Sequence, residues 1–187
     1  MSASILVAYA TRYGSTEEVA EAVAETLREN GFEVDVRPMR EVRGLEGYQV
    51  VVLGAPIYIG RWHKEAHRFL SQYAEVLTER LATGLQVAIF ALGPIHDDED
   101  EYHGAREVLD AEVAKYPWLK PLAIAVFGGR YDPSKLRLAD RLLTALPASP
   151  LHGVPASDVR DWPAIQAWAG DLATKLQPAL SRKEAYK

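Results

Sequence analysis

A run of hydroxyl-bearing residues near the amino terminus is the first pattern that could do chemistry. Residues 11–16 read Thr-Arg-Tyr-Gly-Ser-Thr, follow an apolar segment and lead directly into a helical pattern. The first backbone N–H groups of a helix have no intrahelical acceptor, and the helix dipole favours an anion beside them. Several hydrogen bonds of about 1.5–3 kcal/mol each would hold a phosphate there. The expected ligand-binding residues of this loop are Thr11, Arg12, Tyr13, Gly14, Ser15 and Thr16.

Known phosphate motifs match this loop poorly, whereas a helix cap matches it well. A Walker loop requires Gly-Lys-Ser/Thr, and residues 11–16 contain no lysine. The dinucleotide-binding fingerprint requires three glycines, whereas this loop has one. Helix capping by Ser15 and Thr16 would account for the hydroxyl groups without any ligand. The loop alone therefore leaves both a phosphate site and a simple helix cap open.

A second candidate segment, residues 54–63, joins chain breakers to large apolar side chains. It reads Gly-Ala-Pro-Ile-Tyr-Ile-Gly-Arg-Trp-His, which is unusual for a solvated connection. A planar apolar ligand needs such a wall, because stacked aromatic rings gain about 0.5–1.5 kcal/mol beyond burial. We expect Tyr58 to stack on the ligand and Gly60 to allow close backbone approach, with packing into the protein's own core as the alternative. The expected wall consists of Pro56, Ile57, Tyr58, Ile59 and Gly60.

A third candidate segment follows the next apolar run. Leu92, Gly93 and Pro94 lie where the far edge of a ligand should fall, and their backbone could bond its polar atoms. His96 has a side chain that titrates near neutral pH, although a solvated loop histidine is the simpler interpretation. Residues 97–101 are five consecutive acids, which favours an exposed face or a docking surface for a basic redox partner.

The elements that position these segments alternate short apolar runs with helical patterns. Runs without polar alternation are typical of parallel strands buried on both faces. Strands are predicted at residues 5–10, 32–36, 48–53, 85–92 and 122–127, the third halted by Gly54-Ala55-Pro56. Helices are predicted from Glu17 to a stop at Asn30-Gly31 and at 63–81, 107–114, 136–146 and 162–176, with a surface loop at 147–161. The expected fold is α/β, a doubly wound five-stranded parallel sheet with helices on both faces and ligands at the carboxyl ends of its strands.

Composition and charge limit the classes of function. The 187 residues contain no repeat or linker and are expected to form one domain, 1–187. A formal net charge of -5 argues against nucleic acid as a partner. The absence of cysteine excludes disulfides and thiolate metal sites and is typical of a cytoplasmic protein. No apolar run approaches the roughly 18–20 residues of an integral membrane segment, and no metal site is expected, although His63 and His67 stand four apart.

Together these motifs resemble a known family. Segments 11–16 and 54–63, the later Phe-Gly-Gly-Arg-Tyr-Asp at 127–132, and Asp161-Trp162 are similar, in this order, to flavodoxin-domain proteins. The resemblance is closest to the family that includes menaquinone-dependent protoporphyrinogen dehydrogenase, and it covers nearly the whole chain. It implies a flavodoxin-like fold that binds FMN. The phosphate would lie at residues 11–16, and the isoalloxazine ring between residues 56–60 and the segment after residue 92.

The resemblance also implies a redox function. FMN would transfer electrons while the polypeptide supplies binding and electrostatics, so no catalytic side chain is nominated. The expected partner is a redox protein or a quinone. A menaquinone-dependent protoporphyrinogen dehydrogenase of haem biosynthesis is one alternative, and a cofactor-free α/β interaction module is another. The sequence does not indicate an oligomeric state.

Overall fold

The structure, a computed structural model, describes residues 4–146, 148–149 and 151–184. Its strands are β1 (Ser4–Tyr9), β2 (Glu33–Pro38), β3 (Val50–Tyr58), β4 (Arg61–Trp62), β5 (Gln86–Leu92), β6 (Ala123–Phe127), β7 (Arg130–Tyr131) and β8 (Ser157–Asp158). Its α-helices are α1 (Ser15–Glu29), α2 (Lys64–Gln72), α3 (Ala74–Ala82), α4 (Glu99–Val113), α5 (Leu138–Thr144) and α6 (Trp162–Glu184). None of these helices is long and apolar enough to cross a membrane.

Five strands form a parallel sheet in the order β2-β1-β3-β5-β6. The chain starts at β1, moves outward to β2, crosses back to β3 and continues to β5 and β6. The direction of winding reverses between β1 and β3, where folds of this kind bind ligands. The predicted doubly wound five-stranded parallel sheet is therefore confirmed. The short strand β4 pairs antiparallel with the end of β3 and extends the sheet there.

Successive residues of the central strands pack on opposite faces of the sheet. On one face, Ile5, Val7 and Phe90 belong to a cluster that includes the apolar faces of α1 and α6. On the other face, Leu6 and Ile89 belong to a cluster with residues of α2, α3 and α4. Because both faces are covered, the positions of these strands after their first residues are apolar, and the sequence shows no polar alternation.

The third strand is longer than predicted, because Gly54-Ala55-Pro56 does not end it. β3 continues to Tyr58, and Pro56 pairs with Leu92 of β5. Gly54 lies under the ring of Phe90, and a Cβ at this position would overlap that ring. Glycine inside a strand often marks such a close approach. The prediction of a strand end at this glycine was therefore wrong.

The helix predicted over residues 63–81 is divided into α2 and α3 at Tyr73. The Tyr73 side chain is buried, and its hydroxyl donates a hydrogen bond to the Val42 carbonyl at 3.0 Å. Its backbone N–H still bonds to Phe69, but its φ and ψ of -105° and 13° depart from helical values. The buried tyrosine coincides with the break that the sequence pattern did not indicate.

The helix predicted over residues 107–114 begins earlier, at Glu99. The Asp98 side chain caps it by accepting a hydrogen bond from the Glu101 N–H at 3.1 Å. The acidic run 97–101 therefore supplies the cap and first turn of α4, where the helix dipole favours negative charge. Residues 97–100 are exposed, as the sequence suggested for this run.

The region predicted as a surface loop, residues 147–161, contains a short strand. β8 pairs antiparallel with β7, so this region is tied to the chain that leaves β6. Pro147 and Pro150, which belong to this predicted loop, lie outside the described residues. The pairing brings residues 130–131 and 157–158 together at the carboxyl edge of the main sheet.

Candidate functional site

The loop predicted to bind phosphate surrounds the amino terminus of α1. Gly14 precedes the helix with a φ of 91°, and no side chain caps the helix. The Thr11 hydroxyl accepts a hydrogen bond from the Gly14 N–H at 2.9 Å and so closes the loop on itself. Ser15 and Thr16 lie inside the first turn, so they are not the helix cap that could have explained their hydroxyl groups. The amino terminus of α1 is thus left without a protein cap.

Thr16 is fully buried, and its hydroxyl has no hydrogen-bond partner among the described residues. A buried polar group left unpaired costs about 1–3 kcal/mol, and such groups in folded proteins call for an explanation. An anion bound at the uncapped start of α1 would offer acceptors to first-turn N–H groups and to this hydroxyl. The residues present therefore fit a phosphate group.

A cavity of about 340 Å³ lies beside this loop, at the carboxyl ends of β3 and β5. Nine of the fourteen predicted site residues line it: Arg12, Tyr13, Ser15, Pro56, Ile57, Tyr58, Ile59, Leu92 and Gly93. The other five belong to the same three segments but do not line it: Thr11, Gly14, Thr16, Gly60 and Pro94. The structure thus brings all three predicted segments to one cavity.

The hairpin of β3 and β4 forms one wall of the cavity. Its two turn residues, Ile59 and Gly60, have positive φ values of 50° and 64°, as tight two-residue hairpins require. A β-branched residue rarely adopts this conformation, and the Ile59 side chain is also 78% exposed. Tyr58 is half-buried, and burial raises the pKa of its hydroxyl. The wall therefore combines a partly buried ring with a strained apolar tip.

The end of β5 forms a second wall, and its backbone is partly engaged within the protein. The Gly93 N–H donates to the Phe127 carbonyl at 3.2 Å, and the Pro94 carbonyl accepts from the Gly129 N–H at 2.6 Å. A Cβ at Gly93 would lie 2.9 Å from the Cβ of Ala105, so a larger residue does not fit. These bonds join the ends of β5 and β6 and use polar atoms that we expected to face a ligand.

Glu101 orders the segment that follows this wall. Its carboxylate accepts hydrogen bonds from the Ile95 N–H at 3.0 Å and the His96 N–H at 3.2 Å, and it also contacts the His96 ring. Burial alone would raise the pKa of Glu101, but these hydrogen bonds lower it below the usual value. One residue of the acidic run thus holds the loop that carries Ile95, which lines the cavity.

Sequence reasoning missed ten lining residues, most of them in the segment after β6. They are Ile95, Gly129, Arg130, Tyr131, Asp132, Lys135, Leu136, Thr144, Ser149 and Leu151. The motif at 127–132 carried part of the resemblance, but we gave it no role. The rule that ligands bind at the carboxyl ends of parallel strands applies equally to β6 and would have pointed to it. We call the described residues 129–146, 148–149 and 151 the covering segment.

Arg12 lies on the cavity wall and is paired with the covering segment. Its guanidinium is 4.8 Å from the centroid of the Tyr58 ring, a cation–π distance. Its Nε and Nη2 donate to Oδ2 of Asp140 on α5 at 3.0 and 2.6 Å, and the Tyr13 hydroxyl donates to the same carboxylate. Hydrogen bonds from Arg12 and then Tyr13 hold the pKa of Asp140 below its usual value. Arg12 is therefore engaged by a carboxylate of the protein.

The Asp161-Trp162 motif fastens the start of α6. The buried Arg160 donates to Asp158 of β8 at 2.7 and 2.6 Å and to Glu18 of α1 at 2.6 Å. Its guanidinium lies 4.7 Å from the Trp162 ring, and Asp161 accepts a hydrogen bond from the backbone at the first turn of α6. These contacts join β8, α1 and α6.

The two histidines at helical spacing do not act as a pair. His63 Nδ1 caps α2 by accepting from the Glu65 N–H at 3.4 Å, and burial lowers the pKa of His63. His67 instead bonds to Tyr116 at 2.8 Å and Glu112 at 3.1 Å. In the part of the chain that the structure describes, no three His, Asp or Glu side chains gather as potential metal ligands.

Comparisons with known proteins agree on the family. A family model described as a flavodoxin domain matches residues 6–154. The Escherichia coli (strain K12) protein named protoporphyrinogen IX dehydrogenase (quinone) is 27% identical over 176 residues, which cover 90% of this chain and 93% of that protein. A Methylocella silvestris protein named NAD(P)H dehydrogenase (quinone) is 32% identical over 92 residues, which cover 37% of this chain and 46% of that protein.

Solved structures show the same fold. An archaeal flavodoxin superposes with a TM-score of 0.55 at 14% identity and covers 93% of this chain and 99% of its own. The flavodoxin of Streptococcus pneumoniae TIGR4 has a TM-score of 0.55 at 18% identity and covers 94% of this chain and 99% of its own. At these identities the likeness concerns the fold alone.

Proposed function

This chain belongs to the flavodoxin-domain family, and on that premise we propose that it binds FMN and transfers electrons through it. The fold and the family imply a flavin. We favour FMN because one end of the cavity offers an uncapped helix terminus for an anion and the other offers apolar walls for a flat ring. The proposal therefore assigns each end of the cavity to one part of the same ligand.

The buried, unpartnered hydroxyl of Thr16 is the observation that carries this proposal. A doubly negative phosphate would accept hydrogen bonds from it and from N–H groups of the first turn of α1. Hydrogen bonds to a charged group contribute about 1.5–3 kcal/mol each, more than a neutral ring substituent could gain at this place. The Gly14 N–H is already used in its bond to the Thr11 hydroxyl, so Gly14 would shape the loop, whereas Thr11, which accepts in that bond, could still donate its O–H to the phosphate.

The walls of the cavity would hold the ring system. Tyr58 and Ile57 would lie on one side, Leu92 and Gly93 on another, and the covering segment would exclude water. When bound, FMN supplies the capacity to accept and release one or two electrons. The chain's own contribution is binding, orientation and the electrostatic surroundings of the ring.

The test is a pair of titrations with FMN and riboflavin. Replacing the hydroxyl by a methyl group in Thr16→Val should weaken FMN binding at least tenfold and leave riboflavin binding unchanged, because riboflavin lacks the phosphate. Calorimetry or flavin fluorescence quenching measures both affinities. Thr26→Val is the matched control, because Thr26 lies in the same helix, is also buried, and donates to the Ala22 carbonyl at 3.1 Å.

Three results would contradict the proposal. Equal affinities of the native protein for FMN and riboflavin would mean that the phosphate contributes nothing to binding at this site. Protein that stays colourless with added FMN would favour the cofactor-free interaction module. An equal loss of FMN affinity in both threonine variants would mean that Thr16 acts through helix stability alone.

A second candidate is a quinone-coupled dehydrogenase, and the covering segment favours it. Leu136 and Leu151 line the cavity together with Ile95. The apolar lining of the cavity therefore continues beyond the three predicted segments that would hold a flavin. The Escherichia coli and Methylocella silvestris relatives are named as quinone enzymes. A dehydrogenase should oxidise protoporphyrinogen IX or NAD(P)H with a quinone in steady-state assays. A protein without turnover on either donor would not be this enzyme.

An electron carrier is the simpler form of the proposal. Such a protein would exchange electrons with a basic partner at the exposed acids 97–100, and the exchange would slow as salt screens their charge. Stopped-flow reduction by a flavodoxin reductase at two salt concentrations distinguishes it from the dehydrogenase. We also place the protein in the cytoplasm, where the absence of cysteine suits a reducing environment.

A further inference from the structure

Helix α5 has little apolar attachment among its described side chains. Leu138 is 77% exposed and Leu142 is 64% exposed. Asp140 is the one described side chain of this helix that is buried. Most helices in proteins are stabilised by burying an apolar face, and the described part of α5 does not do so. Among the described side chains, Asp140 therefore makes the buried attachment of this helix.

Asp140 makes those contacts with two residues of the phosphate loop. Both of its oxygens accept hydrogen bonds from Arg12, and the Tyr13 hydroxyl donates to Oδ2. A two-pronged arginine–carboxylate pair fixes the orientation of the guanidinium as well as its position. The carboxylate thus sets where the Arg12 side chain lies.

That orientation places the Arg12 guanidinium on the Tyr58 ring, 4.8 Å from its centroid. One carboxylate therefore joins α5, the phosphate loop and the β3–β4 hairpin. Arg12 is bound to a protein anion rather than left free for a phosphate. With the pair intact, the cavity faces a guanidinium whose charge is balanced at hydrogen-bond distance.

We propose that Asp140 is a positioning residue that fastens α5 over the cavity and holds Arg12 against Tyr58 with its charge cancelled. The statement about α5 stands on the protein alone, whereas the statement about charge rests on the proposed function. Without Asp140, Arg12 would present an unpaired cation to the cavity. A nearby cation favours the reduced state of a flavin, because reduction adds negative charge.

The first test uses the protein without flavin. Lys135, Arg137 and Arg141 are trypsin sites in and next to α5. Asp140→Asn and Arg12→Gln should each speed cleavage at these bonds at least tenfold, because proteolysis follows the fraction of open segment. Asp110→Asn is the matched control, since it removes a similar partner of Arg106 on α4, and it should be cleaved at the native rate. Cleavage of both test variants at the native rate would contradict the proposal that Asp140 fastens α5 over the cavity.

The second test uses the protein loaded with FMN and measures its two-electron midpoint potential. Asp140→Asn should favour binding of the reduced over the oxidised cofactor about tenfold, which is a rise of about 30 mV. Arg12→Gln should not raise the potential, because the cation is then absent. A rise in both variants would overturn the charge-balancing role. If the native protein binds no FMN, the proposed function fails. The trypsin result then still decides whether Asp140 fastens α5 over the cavity.

Discussion

The two ends of the cavity are built in different ways. The end proposed to bind phosphate is one continuous loop, residues 11–16, that leads into a helix packed against the sheet. The covering segment is attached through contacts between distant parts of the chain, such as the pairing of β7 with β8 and the ion pair of Asp140 with Arg12, 128 positions apart. The first end depends on local backbone geometry, whereas the second depends on a few polar contacts. We therefore expect the first end to determine how tightly a ligand binds and the second end to determine how easily a ligand enters the cavity.

The largest effect on stability should come from Gly128, the residue that precedes the covering segment. A Cβ here would overlap the Val159 carbonyl oxygen, so Gly128→Ala should lower the free energy of unfolding by about 3 kcal/mol. Gly14→Ala is the control at the other end, because nothing lies within 4 Å of its added Cβ and only the positive φ opposes it. Its cost should be about 1 kcal/mol. Urea denaturation compares the two, and equal losses would contradict the contrast between the ends.

A smaller effect should follow the charge state of Asp140. Asp140→Asn should cost about 2 kcal/mol at neutral pH, less than for a fully buried pair, because the Arg12 side chain is 34% exposed. The folded-state pKa of Asp140 is lowered, so its contribution is complete above the ordinary value of about 3.9 and is lost as pH falls through the lowered value. Denaturation of both proteins from pH 7 to pH 3 measures this difference. A constant difference across that range would argue against the ion pair.

The smallest effect should be a gain in stability at Ile59. Asparagine tolerates positive φ better than isoleucine, so Ile59→Asn should raise the free energy of unfolding by about 0.5–1 kcal/mol. Thermal unfolding measures the gain. Arg61→Asn on the neighbouring strand β4 is the control, because it changes an exposed side chain of the same hairpin without a residue of strained φ. A loss of stability in Ile59→Asn would mean that packing of the isoleucine side chain outweighs the strain of its backbone.

The central strands β1, β3 and β5 could be predicted because burial on both faces leaves an uninterrupted apolar run in the sequence. The errors arose where a residue has a tertiary reason for its place. Gly54 lies under Phe90, Tyr73 reaches Val42, and Asp98 starts a helix that apolar spacing alone placed later. Contacts between distant residues explain the places of Gly54 and Tyr73, and a side-chain cap explains the place of Asp98. The spacing of apolar residues carries no information on either kind of contact.

The same division holds at the candidate site. The loops after β1, β3 and β5 were predicted because their composition is unusual where the fold expects ligands. Residues such as Lys135 and Leu151 are ordinary in type, and contacts between distant residues, among them the pairing of β7 with β8 and the ion pair of Asp140, bring their segment to the cavity. Whether the fourteen predicted residues bind FMN stays a prediction, which titration with FMN and riboflavin addresses.

The Thr16 hydroxyl, which has no hydrogen-bond partner among the described residues, has a consequence for how long the protein survives in a cell. A chain that completes its internal bonding only on meeting its prosthetic group is less stable until it does so. Cofactor at a hundredfold excess over its dissociation constant adds about 2.7 kcal/mol to the folded state. On the proposed function, newly made molecules would be more open to proteolysis until they bind FMN, and the abundance of the protein would follow riboflavin supply without any change in transcription.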